Sequence, residues 1–261
     1  MRTRIFVVDA FTEQAFKGNP AAVCLLQKDV SEEWMQSLAA EMKHPETAFV
    51  RFTGENHELR WFTPTTEVDL CGHATLAAAH VLWEQDLHSK WQPIRFHTKS
   101  GILTAVMRGP DAVLDFPSEP AEVATPPADI VHILGCEPVW FGRNRMDWFA
   151  EVPNEFAVTS LVPDLARIEA MGMRGLIVTS RAEETDFVSR FFAPQSGVEE
   201  DHVTGSAHCC LGPYWAEKLG KQEVVGYQAS PRGGFVRVNC LGDRVELIGN
   251  AITVLEGFLR C

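Results

Sequence analysis

One stretch decides the fold: Arg60-Trp-Phe-Thr-Pro-Thr-Thr-Glu-Val-Asp-Leu-Cys-Gly-His-Ala-Thr-Leu-Ala-Ala-Ala-His-Val-Leu-Trp83. Residues 60–64 have the composition of a strand that ends at a proline, and residues 65–71 read as a polar connection. From Gly72 onward the residues are strong helix formers and apolar on nearly every face, so we expect a helix buried on all sides. This helix begins at Gly72-His73, where exposed N–H groups and the helix dipole favour an anion such as a carboxylate.

The same pattern occurs a second time in the chain. Residues 190–194 (Arg-Phe-Phe-Ala-Pro) repeat residues 60–64, and residues 205–208 (Gly-Ser-Ala-His) repeat residues 72–75 (Gly-His-Ala-Thr). A second apolar helical run follows, as it does after the first copy. Chance can supply a shared Phe-x-Pro, but hardly together with Gly-x-Ala and an apolar helix. We therefore interpret the chain as two homologous halves that face each other across a cleft.

The surrounding sequence indicates an α+β fold. Many short β segments surround only two long apolar helices, so we predict two pseudo-symmetric halves, each a curled β-sheet or barrel around a central helix. Residues 117–127 are rich in proline and polar residues and mark the boundary between the halves. The predicted domains are therefore residues 1–117 and 118–249. A helix capped by Ser31 and running to about Met42 is expected in the first half.

Composition excludes several classes of protein. The chain has 261 residues, 46% hydrophobic and 22% charged, as is ordinary for a globular protein. A net charge of −12 without a Lys/Arg cluster argues against nucleic acid or an anionic membrane as a partner. No apolar run reaches membrane-spanning length. The seven cysteines are scattered and form no C-x-x-C pair, which disfavours a disulfide framework or a structural zinc site. We expect a cytoplasmic protein.

Four polar residues are the candidates for chemistry. Glu46 lies between a proline and an apolar β-rich run, where partial burial would raise the pKa of its carboxyl towards a value useful for acid/base catalysis. Asp201 lies just before the second helix, where it could cap the helix or brace the loop, or orient a substrate amine or a histidine. His73 and Ser206 occupy nearly equivalent places at the two helix starts, so both could meet in one cleft. A structural role is the common alternative for each residue taken singly.

Cys71 is a separate candidate, because a thiol just before a helix can have a lowered pKa; the alternative is a small buried residue. We identify no metal site. No G-x-G-x-x-G follows a strand and no Walker sequence is present, so nothing in the chain indicates a nucleotide.

Taken together, these motifs resemble the PhzF-like phenazine biosynthesis isomerases. The run from Glu67 to Thr75 is highly specific. The resemblance rests on five segments that span nearly the whole chain, which are residues 9–12, 18–23, 46–49, 60–75 and 201–208. That family shares its fold with diaminopimelate epimerase and proline racemase. The resemblance implies an active site between the halves and a C-terminal strand, within residues 250–261, that returns to the first domain.

The resemblance also assigns roles to residues. It implies that Glu46 is the acid/base group, with His73, Asp201 and Ser206 as its companions. The prototype moves a proton within trans-2,3-dihydro-3-hydroxyanthranilate without a cofactor, so we expect no cofactor and a small carboxylate-bearing substrate. The expected substrate-binding residues are Asn19, Cys71, Gly72 and Gly205. A homodimer is the expected assembly.

Two departures from the family pattern affect the predicted active-site loops. Pro45 stands where family members commonly have serine before the glutamate, and His202 replaces the proline of their usual Glu-Asp-Pro-Val-Thr-Gly-Ser. Both put the identity of the substrate in question more than the proton chemistry.

Two alternatives stay open. An amino-acid epimerase would use Cys71 as one of two thiol bases, but Thr204 stands at the second position. A non-catalytic small-molecule binding protein is disfavoured by the joint presence of the four candidate residues.

Overall fold

The structure is a computed structural model that describes residues 3–53 and 56–260. The chain divides into two compact units, which are Met1–Phe116 with Ile248–Cys261, and Pro117–Leu247. These are unit 1 and unit 2, respectively. The common ancestry of the two halves stays a prediction.

Unit 1 contains two helices and most of the strands of the N-terminal half. Its elements are β1 (Arg4–Ala10), β2 (Asn19–Leu26), α1 (Glu32–Met42), β3 (Glu46–Thr53), β4 (Asn56–Phe62), β5 (Glu67–Val68), α2 (Gly72–Glu84), β6 (Ile94–Thr98), β7 (Gly101–Arg108), β8 (Asp111–Pro117) and the C-terminal strand Ala251–Phe258. The C-terminal strand pairs antiparallel with β1, which also pairs antiparallel with β2. Next, β2 runs parallel to β3, β3 antiparallel to β4, and β4 parallel to β6.

Helix α2 lies against β1, β2 and β3 and is buried along nearly its whole length. The expectation of a helix buried on all sides is confirmed. Its apolar residues bury large areas, each worth about 25 cal/mol per Å² removed from water. This packing fixes where the helix begins, and therefore where the candidate residues at its start lie.

Helix α1 begins and ends as its sequence predicts. The Ser31 hydroxyl accepts a hydrogen bond from the backbone N–H of Trp34 at 3.3 Å, as an N-cap does. Lys43 ends the helix in the left-handed conformation, with its N–H donating to the Ala39 carbonyl at 3.1 Å. The short turn that follows leads directly into β3, so Glu46 becomes the first residue of that strand.

Unit 2 contains more short helices than the sequence predicts. Its elements are β9 (Glu122–Val123), α3 (Ile130–Leu134), β10 (Trp140–Arg143), β11 (Asp147–Glu151), α4 (Glu155–Thr159), α5 (Leu165–Ala170), β12 (Gly175–Arg181), β13 (Phe187–Ala193), a 3-10 turn (Pro194–Ser196), β14 (Val198–Asp201), α6 (Gly205–Leu219), β15 (Glu223–Gln228), β16 (Gly234–Leu241) and β17 (Arg244–Gly249). The last two residues of β17 belong to unit 1. Numbered in chain order, the C-terminal strand Ala251–Phe258 is β18.

The strands of unit 2 pair in the same order as those of unit 1. Strand β10 is antiparallel to β11, β11 parallel to β12, and β12 antiparallel to β13. In turn, β13 is parallel to β15, and β15 antiparallel to β16. Each unit is thus a sheet with one long buried helix, and the α+β class predicted from the sequence is confirmed.

Three elements differ from the sequence prediction. Residues 65–71, expected to be a plain connection, include β5, which pairs with β4. Helix α4 was not expected, because it is too short to show a helical period; Asn154 caps it by accepting from the N–H of Ala157 at 3.0 Å. Strand β14, just before the second helix, pairs with β13 and carries Asp201 at its end.

Within the described part of the chain, no helix is both long and apolar enough to cross a membrane.

Candidate functional site

The candidate residues of unit 1 meet where α2 begins. Strands β2 and β3 are parallel neighbours, so their first residues, Asn19 and Glu46, lie at the same edge of the sheet. Helix α2 begins at that edge, with Cys71 as its N-cap and His73 in its first turn. The sheet and the buried helix therefore bring together four side chains from three separate segments of the sequence.

His73 is the centre of this group. Its Nε2 lies 3.2 Å from Glu46 Oε2, and its Nδ1 lies 3.1 Å from the amide nitrogen of Asn19. The sulfur of Cys71 lies 3.5 Å from the same Nδ1. The His73 side chain is 4% exposed, whereas that of Glu46 is 17% exposed. The carboxyl can thus meet a ligand, while the imidazole is held behind it.

The contacts of His73 orient its ring. An amide nitrogen can only donate, so a neutral His73 ring that accepts from Asn19 through Nδ1 carries its proton on Nε2. Nε2 is the ring nitrogen that lies toward Glu46, 3.2 Å from Oε2. Glu46 and Asn19 thus lie at the two ring nitrogens of His73, at the start of α2.

The same side chains could hold a metal ion. Three possible ligand atoms, one each from Glu46, Cys71 and His73, lie within 4.8 Å of one another. A thiolate, an imidazole and a carboxylate are typical zinc ligands. The expectation of no metal site therefore stays a prediction, which the effect of EDTA and of added Zn²⁺ on turnover would test.

The candidate residues of unit 2 lie where α6 begins. Thr204 is the N-cap of α6, and its hydroxyl donates to Asp201 Oδ2 at 2.6 Å. The side chain of Gln228 fixes this turn, because its Oε1 accepts from the Thr204 N–H at 2.8 Å and its Nε2 donates to the Asp201 carbonyl at 2.7 Å. The Asp201 carboxyl is thus anchored at the start of the helix. Sequence reasoning did not identify Gln228.

Ser206 lies in the first turn of α6 and contacts an arginine. The Arg174 Nη2 donates to Ser206 Oγ at 3.0 Å. Arg174 also forms a bidentate pair with Asp147, with distances of 2.8 and 2.5 Å. The Asp147 side chain is fully buried. Sequence reasoning identified neither Arg174 nor Asp147.

His208 is buried one turn into α6. Its Nδ1 lies 2.8 Å from the Thr204 carbonyl, and burial lowers the pKa of His208 to about 4. It is therefore neutral near pH 7 and holds the first turn of α6 in place, which agrees with a structural role.

The structure places each predicted residue in one of two groups. The group in unit 1 consists of Asn19, Glu46, Cys71, Gly72 and His73. The group in unit 2 consists of Asp201, Gly205 and Ser206. That both groups act on one ligand stays a prediction.

Comparison with known proteins shows similarity along nearly the whole chain. A family model described as "Phenazine biosynthesis-like protein" matches residues 8–126 and 135–257. An uncharacterized isomerase of Halalkalibacterium halodurans is 55% identical over 262 residues, which cover 99% of each chain.

Solved structures show the same similarity. A phenazine biosynthesis protein of the PhzF family from Enterococcus faecalis is 38% identical, with a TM-score of 0.96 and complete coverage of both chains. A hydroxyproline epimerase of Agrobacterium vitis, solved with trans-4-hydroxy-L-proline, has a TM-score of 0.65 at 10% identity, covering 99% of this chain and 94% of its own. The second likeness shows a shared fold alone.

Proposed function

The chain belongs to the PhzF-like phenazine biosynthesis family and is an isomerase, and on that premise we propose that it moves a proton within a small carboxylate-bearing substrate without a cofactor. Glu46 carries the proton. The observation that carries this proposal is the contact of Glu46 with His73, whose other ring nitrogen accepts from Asn19.

The reaction needs one group that removes a proton from one carbon and returns it to another. The Glu46 carboxylate takes the proton as the C–H electron pair enters the conjugated system of the substrate. The carboxyl then delivers the same proton to a second carbon, so that the atoms and charges of substrate and product balance. Partial exclusion of water favours return of the proton before it exchanges with solvent.

The two helix starts supply the binding part of the proposal. Anions bind at helix N-termini because the first N–H groups have no partner inside the helix. In α2 and α6 the N-cap side chains of Cys71 and Thr204 make no capping hydrogen bond. We propose that these helix starts and the polar groups Asp201 and Ser206 bind one substrate in a cleft between the units. A homodimer and a cytoplasmic location belong to the same proposal.

An epimerase is the second candidate, and Cys71 is the observation that favours it. Its sulfur lies 3.5 Å from His73 Nδ1 and just before the start of α2, a setting that favours a thiolate. A two-base epimerase needs a partner thiol on the other face of the reacting carbon, and the repeat places Thr204 there. The Thr204 hydroxyl donates to Asp201 and is not basic at neutral pH. We therefore favour the single-carboxyl isomerase.

Exchange of substrate hydrogen in D₂O tests the proposal. We would incubate the purified chain with trans-2,3-dihydro-3-hydroxyanthranilate and a set of cyclic and linear amino acids, with and without EDTA, and follow carbon-bound deuterium by NMR. We expect rearrangement of a ring-bearing carboxylate that EDTA does not slow. Added Zn²⁺ should inhibit turnover, because the cluster of Glu46, Cys71 and His73 would bind it. Glu46 would then be a zinc ligand and could not carry the proton.

Cys71→Ala separates the two candidates in the same assay. We expect this variant to keep most of the turnover, because the chemistry is assigned to a carboxyl. Cys24→Ala, which removes another buried thiol of unit 1, is the control. Loss of turnover in a folded Cys71→Ala protein, with deuterium entering only at an amino-acid α-carbon, would instead establish the epimerase.

A further inference from the structure

The pairing of strands identifies the counterpart of Glu46 in unit 2. Thr47 pairs with Phe62 in unit 1, and Leu176 pairs with Phe192 in unit 2. Phe62 and Phe192 are equivalent in the repeated Arg-x-Phe-x-Pro motif. The residue before Thr47 is Glu46, so its counterpart is the residue before Leu176, which is Gly175.

Unit 2 cannot hold an acid at that position. A Cβ on Gly175 would lie 2.6 Å from the ring of Phe191 and 2.6 Å from the Phe192 carbonyl oxygen. Contacts this short require the backbone to move, so position 175 must be glycine. The side chain that reaches the start of α6 comes from the preceding residue, Arg174, whose guanidinium lies over the Phe191 ring at 5.2 Å.

Arg174 is held rigidly. The buried Asp147 binds it through two parallel hydrogen bonds. Asp147 is fixed in turn, because its N–H and that of Met146 donate to Asn144 Oδ1 at 2.7 and 2.8 Å. The Arg174 N–H also donates to the Met146 carbonyl at 3.1 Å. The guanidinium therefore has one position, although 30% of its side chain is exposed.

The hydrogen bond to Ser206 has a fixed direction. A guanidinium has donors and no acceptor, so Ser206 Oγ must accept from Arg174 Nη2. The hydroxyl proton of Ser206 then points away from the arginine and can be donated to another group. The guanidinium of Arg174, whose charge is offset by the paired Asp147 carboxylate, lies beside that hydroxyl at the positive end of the α6 dipole.

We propose that Arg174, fixed by Asp147, is a positioning residue that orients the Ser206 hydroxyl to donate to the anionic group of the substrate. This inference rests on the proposed function, and it deepens it by dividing the work between the units. Unit 1 supplies the acid/base pair of Glu46 and His73, whereas unit 2 supplies a cation and a hydroxyl donor at the equivalent place. The substrate group recognised by unit 2 is therefore an anion.

Sulfate is the probe that tests this inference. We would titrate the ¹⁵N-labelled full chain with sodium sulfate at constant ionic strength and obtain Kd from the amide resonances of residues 205–207. Ser206→Ala and Arg174→Lys should each weaken binding about tenfold, the scale of one hydrogen bond to a charged group. Lysine keeps the charge but cannot bind Asp147 through a fork while reaching Ser206.

The double variant distinguishes positioning from structural support. If Arg174 acts through Ser206, Arg174→Lys should weaken binding little further when Ser206 is already alanine. Arg60→Lys is the matched control, because Arg60 forms an equivalent bidentate pair with Glu67, is 26% exposed and lies over Phe62. It should bind sulfate within about twofold of the unaltered chain.

Several results would overturn the inference. These are an unchanged Kd for Arg174→Lys, additive losses in the double variant, an equal loss in Arg60→Lys, or no sulfate binding at the start of α6. If Arg174→Lys fails to fold, Asp147→Asn replaces it, because it loosens the arginine and keeps the shape; an unchanged Kd in that variant would also overturn the inference. None of these results bears on proton transfer by Glu46, which turnover measures separately.

Discussion

At the scale of single residues, a buried histidine in unit 1, His57, makes stability depend on pH. His57 Nε2 lies 3.2 Å from His88 Nδ1, and the His57 ring also packs against Phe52 and Phe96. His57 is 3% exposed. Burial, and then the charge of His88, lower the pKa of His57 to about 4.

This lowered pKa predicts a loss of stability in weak acid. Between about pH 6.5 and pH 4 the unfolded chain binds a proton at His57 that the folded chain does not, so folding becomes less favourable as the pH falls through this range. The contribution is up to about 3 kcal/mol. His57→Phe keeps an aromatic ring and removes the proton site, so the Tm difference between pH 7 and pH 4.5 should shrink.

Carboxyl groups titrate in the same pH range and also change the Tm. The contribution of His57 is therefore the difference in pH dependence of the Tm between the variant and the unaltered chain. His97→Gln, at an exposed site, is the control and should keep the full pH dependence. An identical drop in Tm for His57→Phe and the unaltered chain would show that His57 does not contribute.

Single residues also show what the sequence could predict. Glu46 and His73 were identified because each lies beside a recognisable break, the proline before β3 and the glycine that begins α2. Arg174 gave no such signal, because its counterpart in the repeat is a proline and the match appears only in the pairing of strands. Asp147 is one of 35 acidic residues, and only its burial distinguishes it.

At the scale of elements, helix α6 contains an irregularity with a function in packing. Pro213 lies inside the helix and has no N–H to offer the Cys209 carbonyl four residues earlier. The N–H of Glu119 donates to that carbonyl instead, at 3.0 Å. The chain segment that enters unit 2 is thus attached to α6 at the place where the helix lacks a hydrogen bond.

The residue before Pro213 brings α6 close to the sheet. A Cβ on Gly212 would lie 2.4 Å from Val238 of β16. Gly212→Ala should therefore destabilise unit 2 by about 1–3 kcal/mol through overpacking, despite the better helix propensity of alanine. Thermal unfolding measures the change. Glu217→Ala, at an exposed site on the same helix, should change stability by less than about 0.5 kcal/mol, and equal effects of the two substitutions would refute the packing argument.

Elements were predictable where their signal was strong. Helices α2 and α6 were expected from long apolar runs, and both are buried. The short α4 and β5 have too few residues to show a period, so their presence depends on caps and tertiary pairing.

At the scale of the whole molecule, the repeat predicted the α+β class and a second candidate group. The sequence could not give the register between strands, because register depends on contacts between residues distant in the chain. That register pairs Ala21 with Glu46 in unit 1 and Asp147 with Gly175 in unit 2. The position of Glu46 therefore corresponds to Gly175, the residue that follows Arg174 in the chain.

The central claim is that Glu46 carries the proton, and the turnover number of Glu46→Gln tests it most directly. Glutamine keeps the size of the side chain but cannot carry the proton, so kcat on the substrate found in the D₂O assay should fall by about 10²-fold or more. Binding of the carboxylate should survive, since our proposal assigns it to the helix starts and not to Glu46. Glu58→Gln, which alters a glutamate of β4 paired with Arg51, is the control and should keep kcat. A folded Glu46→Gln enzyme that turned over at the rate of the unaltered chain would contradict the account.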